Sequence, residues 1–195
     1  MRLRYQFAHA FALAVCLAAS ACGRATEADT TDISGVMPPL AFSMVRANDG
    51  APVNAASYRG KIVLLYFGYT HCPDECPTTL ANLAAALKHL GPAANDVRVL
   101  FVTVDPTRDT LPVLKKYVNA FAPQIDGLRG NDNAIARLAR RYRVLYAVTP
   151  AKPGRAYGVT HSDSLFMFDN SGQARLVTMS TQDTAALAAE IRSLG

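Results

Sequence analysis

The chain has 195 residues, half of them hydrophobic and 18% charged, a balance that suits one well-buried domain with a tail and hardly two. A formal charge of +5 and a pI near 9.2 would suit an acidic partner, yet the basic residues are scattered and tryptophan is absent. No basic stripe interleaved with aromatic residues runs through the chain, which argues against a nucleic-acid partner.

The first residues read as a targeting segment. Arg2 and Arg4 form a positive start, and an apolar run from Phe7 to Ala19 follows that is too short to span a bilayer comfortably. The string Leu17-Ala18-Ala19-Ser20-Ala21-Cys22-Gly23 resembles a bacterial lipobox, with Ala19 where leucine is usual. Residues 1–21 are therefore expected to be a lipoprotein signal peptide and Cys22 the lipidated first residue of the mature protein. A plain secretory cleavage would instead leave Cys22 as a free thiol, an oxidation hazard in an exported protein. Residues 22–36 are polar and without apolar periodicity, which predicts a flexible tether and a folded domain over 37–195.

In that domain, Phe42–Arg46, the turn residues Asn48-Asp49-Gly50 and Ala51–Val53 predict a small N-terminal β-hairpin. Ile62–Phe67 is a continuous apolar run of the kind a central strand needs when both faces are buried. Leu80, Leu83, Ala84, Leu87 and Leu90 then mark one face of a helix that Gly91-Pro92 stops. Val97–Val104 is the next strand. A helix carrying Leu111, Leu114, Val118 and Phe121 follows, and another capped by Asn131 or Asp132. Val144–Val148, Ser164–Phe168 and Ala174–Met179 read as strands, and Leu187, Ala188, Ile191 and Leu194 as a closing helix. A β-α-β half followed by a β-β-α half is the thioredoxin-like arrangement, here an α/β fold with the hairpin as an extension and an inserted helix.

Cys72 and Cys76 fall just after the first central strand, where that fold carries redox or metal chemistry. Once Cys16 leaves with the signal and Cys22 carries lipid, they are the remaining thiols in an oxidising compartment. They can form a disulfide, bind a metal, or alternate between the two. One helical turn separates them, and Pro77 suits a helix start directly after the second, so a helix dipole is expected to favour thiolate at the pair. Their spacing is C-x-x-x-C rather than the C-x-x-C of thiol oxidoreductases, which leaves room for an ion. His161 lies at the entry to the Ser164 strand, beside the dithiol strand in this topology, and can complete a two-sulfur, one-nitrogen set suited to a soft ion such as Cu(I). The bland alternative for His161 is a hydrogen-bonded strand-end histidine. His71 is expected behind the donors rather than among them. Asp105, at the C-terminal end of a strand, is either an orienting carboxylate or a turn residue. Met37, Met44, Met167 and Met179 read as packing.

The string Phe67-Gly68-Tyr69-Thr70-His71-Cys72-Pro73-Asp74-Glu75-Cys76-Pro77 resembles the signature of the SCO/SenC family, copper proteins that serve cytochrome c oxidase assembly. Val102–Thr110 is similar to that family's second block, and Gly127-Leu128-Arg129-Gly130 to a shorter third one. The resemblance implies one copper ion, Cu(I) or Cu(II), held by Cys72, Cys76 and His161. It also implies a membrane-attached, periplasm-facing protein that receives copper from an upstream donor and delivers it to the copper-bearing subunit of the oxidase, a carrier rather than an enzyme. The alternatives are a thiol-disulfide oxidoreductase acting through Cys72 and Cys76, and a redox or copper sensor. The family histidine commonly follows an aspartate; here Thr160 precedes His161.

Overall fold

A computed structural model describes residues 29–154 and 156–195. The expected signal peptide and Cys22 lie outside these residues. Among the described residues no helix is long and apolar enough to cross a membrane.

In chain order the strands are β1 (Thr30–Asp32), β2 (Ser43–Arg46), β3 (Pro52–Asn54), β4 (Ile62–Gly68), β5 (Val97–Thr103), β6 (Ile125–Arg129), β7 (Tyr146–Thr149), β8 (Gly158–His161), β9 (Leu165–Phe168) and β10 (Ala174–Thr178). The α-helices are α1 (Glu75–Leu90), α2 (Leu111–Asn119), α3 (Asp132–Arg141) and α4 (Thr184–Ser193). Eight strands form one sheet in the order β1-β10-β9-β4-β5-β6-β2-β3, while β7 and β8 pair as a separate antiparallel ribbon. At the centre β4, β5 and β6 run parallel, from Ile62 opposite Val97 to Gly68 opposite Thr103, and β9 is antiparallel to β4.

All seven residues of β4 are buried, as its unbroken apolar run requires of a strand covered on both faces. Helix α1 packs against α4, with Leu80, Leu83, Leu87 and Ile191 turned into the core. Asn131 caps α3 by accepting from the Ala134 amide at 2.9 Å. The expected hairpin forms through β2 and β3, with Gly50 at φ 75° in the turn, and it extends the sheet beyond β6.

Three features differ from the sequence reading. The tether ends before residue 36: Thr30–Asp32 pairs antiparallel with β10, the Thr178 hydroxyl donates to the Asp29 carbonyl at 2.6 Å, and Ile33 is buried. Strand β6 was not expected, because Ile-Asp-Gly-Leu-Arg carries an acid and a glycine. Tyr58 satisfies Asp126 by donating to its carboxylate at 2.9 Å, and the side-chain space absent at Gly127 is filled by Leu114. Finally, His161 ends β8 of the ribbon rather than opening the Leu165 strand.

Shortening the chain to begin at Asp29 keeps β1 and the carbonyl that Thr178 donates to, and should leave its melting temperature unchanged. Beginning at Val36 removes β1 and the buried Ile33 side chain, whose burial is worth roughly 2 kcal/mol, and should lower the melting temperature by about 4–8 °C. Differential scanning calorimetry of the two truncations checks this.

Candidate metal centre

The centre begins at the end of β4. Gly68 is its last residue, and a Cβ built there would lie 2.7 Å from Cys76 Sγ and 2.6 Å from the Phe101 ring. The thiol of Cys76 therefore occupies the space that any other residue would fill. The chain then turns through Tyr69-Thr70-His71 and enters α1 at Glu75. Asp109 holds that turn. Its carboxylate, fully buried, accepts from the Thr70 amide at 3.0 Å, the Thr70 hydroxyl at 2.6 Å and the Thr103 hydroxyl at 2.6 Å. The dithiol loop is thus tied to the end of β5.

Helix α1 starts earlier than expected. Cys76 is its second residue and Pro77 its third, a position where the missing amide hydrogen costs nothing because the first four are unpaired in any helix. Asp74 makes no side-chain cap; instead the Cys76 amide donates to Cys72 Sγ at 3.4 Å. The two sulfurs differ in setting. Cys72 is half-buried and receives a helix-end amide, whereas Cys76 is fully buried. Burial pushes the Cys76 thiol well above the ordinary thiol range, outweighing a hydrogen bond from the Tyr69 backbone that acts the other way. The expectation that the helix dipole favours thiolate at the pair is therefore corrected for Cys76: desolvation dominates.

His161 arrives on the ribbon. Its side chain is 4% exposed, its Nε2 lies 3.2 Å from Cys76 Sγ, and its Nδ1 lies 3.1 Å from the Ser162 carbonyl. With Nδ1–H donating to that carbonyl, the Nε2 lone pair faces the thiols. The rings of Tyr66 and Tyr69 stand edge-on to the imidazole at 5.9 Å each, and the Tyr66 hydroxyl reaches Cys76 Sγ at 4.0 Å. Burial pushes the Tyr66 hydroxyl upward as well, which keeps it a donor.

The structure brings together the three donors named from the sequence. Cys72 Sγ, Cys76 Sγ and the His161 nitrogen lie within 4.8 Å of one another. Metal–nitrogen and metal–thiolate bonds of about 2.0 and 2.3 Å place the donors of a three-coordinate site roughly 3.7–4 Å apart. Small side-chain rotations reach that spacing, so the residues fit one soft ion. Asp105 and His71 stand beside the centre with other partners. Asp105 accepts from Tyr157 at 2.7 Å and from Arg108 Nε. His71, half-exposed, sits 3.1 Å from the Thr70 hydroxyl and 3.6 Å from Asp109. Tyr69, His71, Arg108 and Tyr157 line a cleft of about 420 Å³ next to the dithiol loop. Sequence reasoning assigned no role to Gly68 or Asp109, although both lie within the family-like strings.

The profile of the SCO1/SenC family matches residues 39–195. The chain belongs to the SCO1/SenC family. It is 42% identical over 119 residues to a bovine mitochondrial SCO2 homologue, covering 60% of this chain and 45% of that protein. It therefore spans less than half the length of that relative. Among solved structures it is similar to Bradyrhizobium japonicum ScoI with copper bound, with a TM-score of 0.74, 32% identity and coverage of 80% of this chain and 99% of that one. Arabidopsis thaliana ScoI with copper bound matches with a TM-score of 0.71, 36% identity and coverage of 80% and 98%. The thioredoxin-like α/β fold expected from the sequence is thereby established.

Gly68→Ala should force Cys76 Sγ and the Phe101 ring apart, destabilising the protein by about 1–3 kcal/mol through overpacking, visible as a lower thermal midpoint. Asp109→Ala leaves the buried Thr103 hydroxyl and the part-buried Thr70 hydroxyl and amide short of their acceptor and should cost about 3 kcal/mol. Urea denaturation should register it as a lower midpoint with an unchanged slope.

Proposed function

We propose that this protein is a membrane-anchored carrier on the periplasmic side of a bacterial cell, holding one copper ion as cargo through Cys72, Cys76 and His161. It would pass that ion to the copper-bearing subunit of cytochrome c oxidase. The observation that carries the reading is the convergence of two sulfurs and an imidazole nitrogen within 4.8 Å, delivered by separate parts of the fold. Two thiolates and an imidazole suit copper, and a bulky apolar surround limits access of harder, hydrated ions. The matched ScoI structures from Bradyrhizobium and Arabidopsis contain copper, which supports the same cargo here. A protein of the same fold, BsSco, is described as a member of the Sco family of cytochrome c oxidase assembly proteins, which supports the acceptor. Anchoring is supported by the lipobox-like string before Cys22 and by a Bacillus anthracis protein of this fold described as a SCO1/SenC family lipoprotein.

The asymmetry of the thiols suggests how cargo is handed on. Cys72 is the donor that solvent reaches, so an incoming ligand from the acceptor displaces it first, while Cys76 and His161 keep hold. Exchange one ligand at a time avoids releasing a free ion. The adjacent cleft lined by Tyr69, His71 and Arg108 gives the acceptor a place to approach. A thiol-disulfide oxidoreductase is the second reading, favoured by the nearness of the two sulfurs on one turn.

Anaerobic titration of the reduced protein with Cu(I) separates the two. The parent should take up one ion per chain, and His161→Ala should weaken binding by about 100-fold or more, beyond the 10–100-fold typical of losing an outer-shell partner. Uptake of no copper by the reduced parent would falsify the carrier. Thiol reductase activity unaffected by His161→Ala, with copper affinity equally unaffected, would favour the second reading.

A further inference from the structure

Thr160 precedes His161, and the strand geometry shows that the carboxylate nearest the imidazole comes from the other side of it. In β8 Val159 is buried, Thr160 is exposed opposite Ala147, and the His161 side chain turns in toward the thiols. Successive strand residues point to opposite faces, so a side chain at 160 starts out directed away from the imidazole. Past the end of the strand the backbone leaves this alternation. There the Asp163 carboxylate comes to 3.6 Å from His161 Nδ1, on the ring edge opposite the one that faces Cys76. Ser162 between them is pinned. Its amide donates to the Leu145 carbonyl at 2.9 Å, and its hydroxyl accepts from the Leu145 amide at 3.1 Å. The Ser162 carbonyl that faces Nδ1 is thereby held in place, 3.1 Å from the ring.

We infer that Asp163 is a positioning residue for His161, setting a carboxylate beside its Nδ1 from two residues downstream. A carboxylate beside Nδ1 favours the ring form with its proton there, leaves Nε2 free for a metal, and makes that nitrogen a stronger donor. The contributions of Ser162 and Asp163 are distinct, since the carbonyl fixes the ring's direction and the carboxylate adds negative charge. Because the Asp163 side chain is 41% exposed, solvent weakens its influence relative to a buried partner. The inference rests on the copper reading for its metal half only; the choice of ring form belongs to the metal-free protein.

The test uses Asp163→Asn, with Asp163→Glu as the variant that keeps the charge. Nitrogen-15 spectra of histidine-labelled, reduced, metal-free parent should place the neutral His161 ring in the form protonated at Nδ1. In Asp163→Asn the two ring-nitrogen shifts should move toward each other as the other form gains population. In competition titrations with a Cu(I) chelator, Asp163→Asn should weaken binding by about tenfold, the low end expected for an outer-shell carboxylate, with Asp163→Glu staying within about threefold of the parent. The reduction potential of the bound copper should rise in Asp163→Asn, since removing a negative charge disfavours the more positive ion. Ring-nitrogen shifts in Asp163→Asn identical to the parent's overturn the inference. A parent that binds no copper but shows the shift change overturns the carrier reading and leaves this one standing.

Discussion

A thiol seated against a glycine is the contact on which the centre depends. Strand β4 is locked by burial on both faces and by its parallel register with β5, so the position of Gly68 is not adjustable. The Gly68 carbonyl accepts from the Val104 amide at 2.8 Å, which continues the strand pairing one step past the last ladder residue. From that fixed point Cys76 packs into the space left by the missing side chain. The first turn of α1, which carries Cys76, is then bound to a particular place over the strand. Asp109 fixes the turn between them from the loop that follows the neighbouring strand β5. The dithiol thus inherits its precision from the core rather than from its own loop.

His161 reaches the same place by an independent route. Strands β7 and β8 share no ladder with the main sheet, and an isolated two-stranded ribbon is marginal on its own in water. What seats it is side-chain burial. Val159 enters the core, the imidazole lies edge-on to Tyr66 and Tyr69, and Arg108 bridges from the second block by donating to the Tyr157 carbonyl at 3.3 Å. The guanidinium of Arg108 also stacks over the Tyr157 ring at 3.9 Å. Asp105, which engages both Arg108 and Tyr157, thereby helps tether the segment that leads into β8. The centre joins a rigid dithiol to an imidazole on a more loosely fastened element.

Much of this was legible in the chain, for identifiable reasons. Strands β4 and β5 are continuous apolar runs, and helices α1 to α4 carry apolar residues at helical spacing with a stop or a cap at one end. Such patterns follow from local chemistry and survive folding. What stayed hidden depends on residues distant in sequence. Strand β6 has Asp126 in its middle, and only the fold supplies the Tyr58 hydroxyl that makes its burial tolerable; that burial still pushes the Asp126 carboxyl upward. Strand β1 is polar because it is an edge, so it has no pattern to read. Asp163 carried no signal in the sequence, since nothing in Ser162-Asp163-Ser164 foretells which way the chain turns after β8. The dithiol and the histidine were legible because sulfur and imidazole are scarce in this chain, whereas Gly68 and Asp109 are residue types too common to stand out.

The error about the thiols is the instructive one. Sequence proximity to a helix start suggested a stabilised thiolate, and a helix end does face the pair, through the Cys76 amide at Cys72 Sγ. But a helix N-terminus carries only about half an elementary charge. Cys76 is fully buried among Tyr66, Phe101 and Gly68, where an uncompensated full charge is far more costly than that partial charge can offset. In the absence of a cation, burial therefore favours the neutral thiol at the inner sulfur. A monovalent soft ion reverses the balance, because it brings its own positive charge into the same apolar space. The burial that disfavours a bare thiolate then favours the ion over competitors that hold their water tightly. On the proposed carrier reading the inner thiol and the imidazole would define what is bound, and the outer thiol, in contact with solvent and next to the His71 and Pro73 edge of the cleft, would govern how it is exchanged.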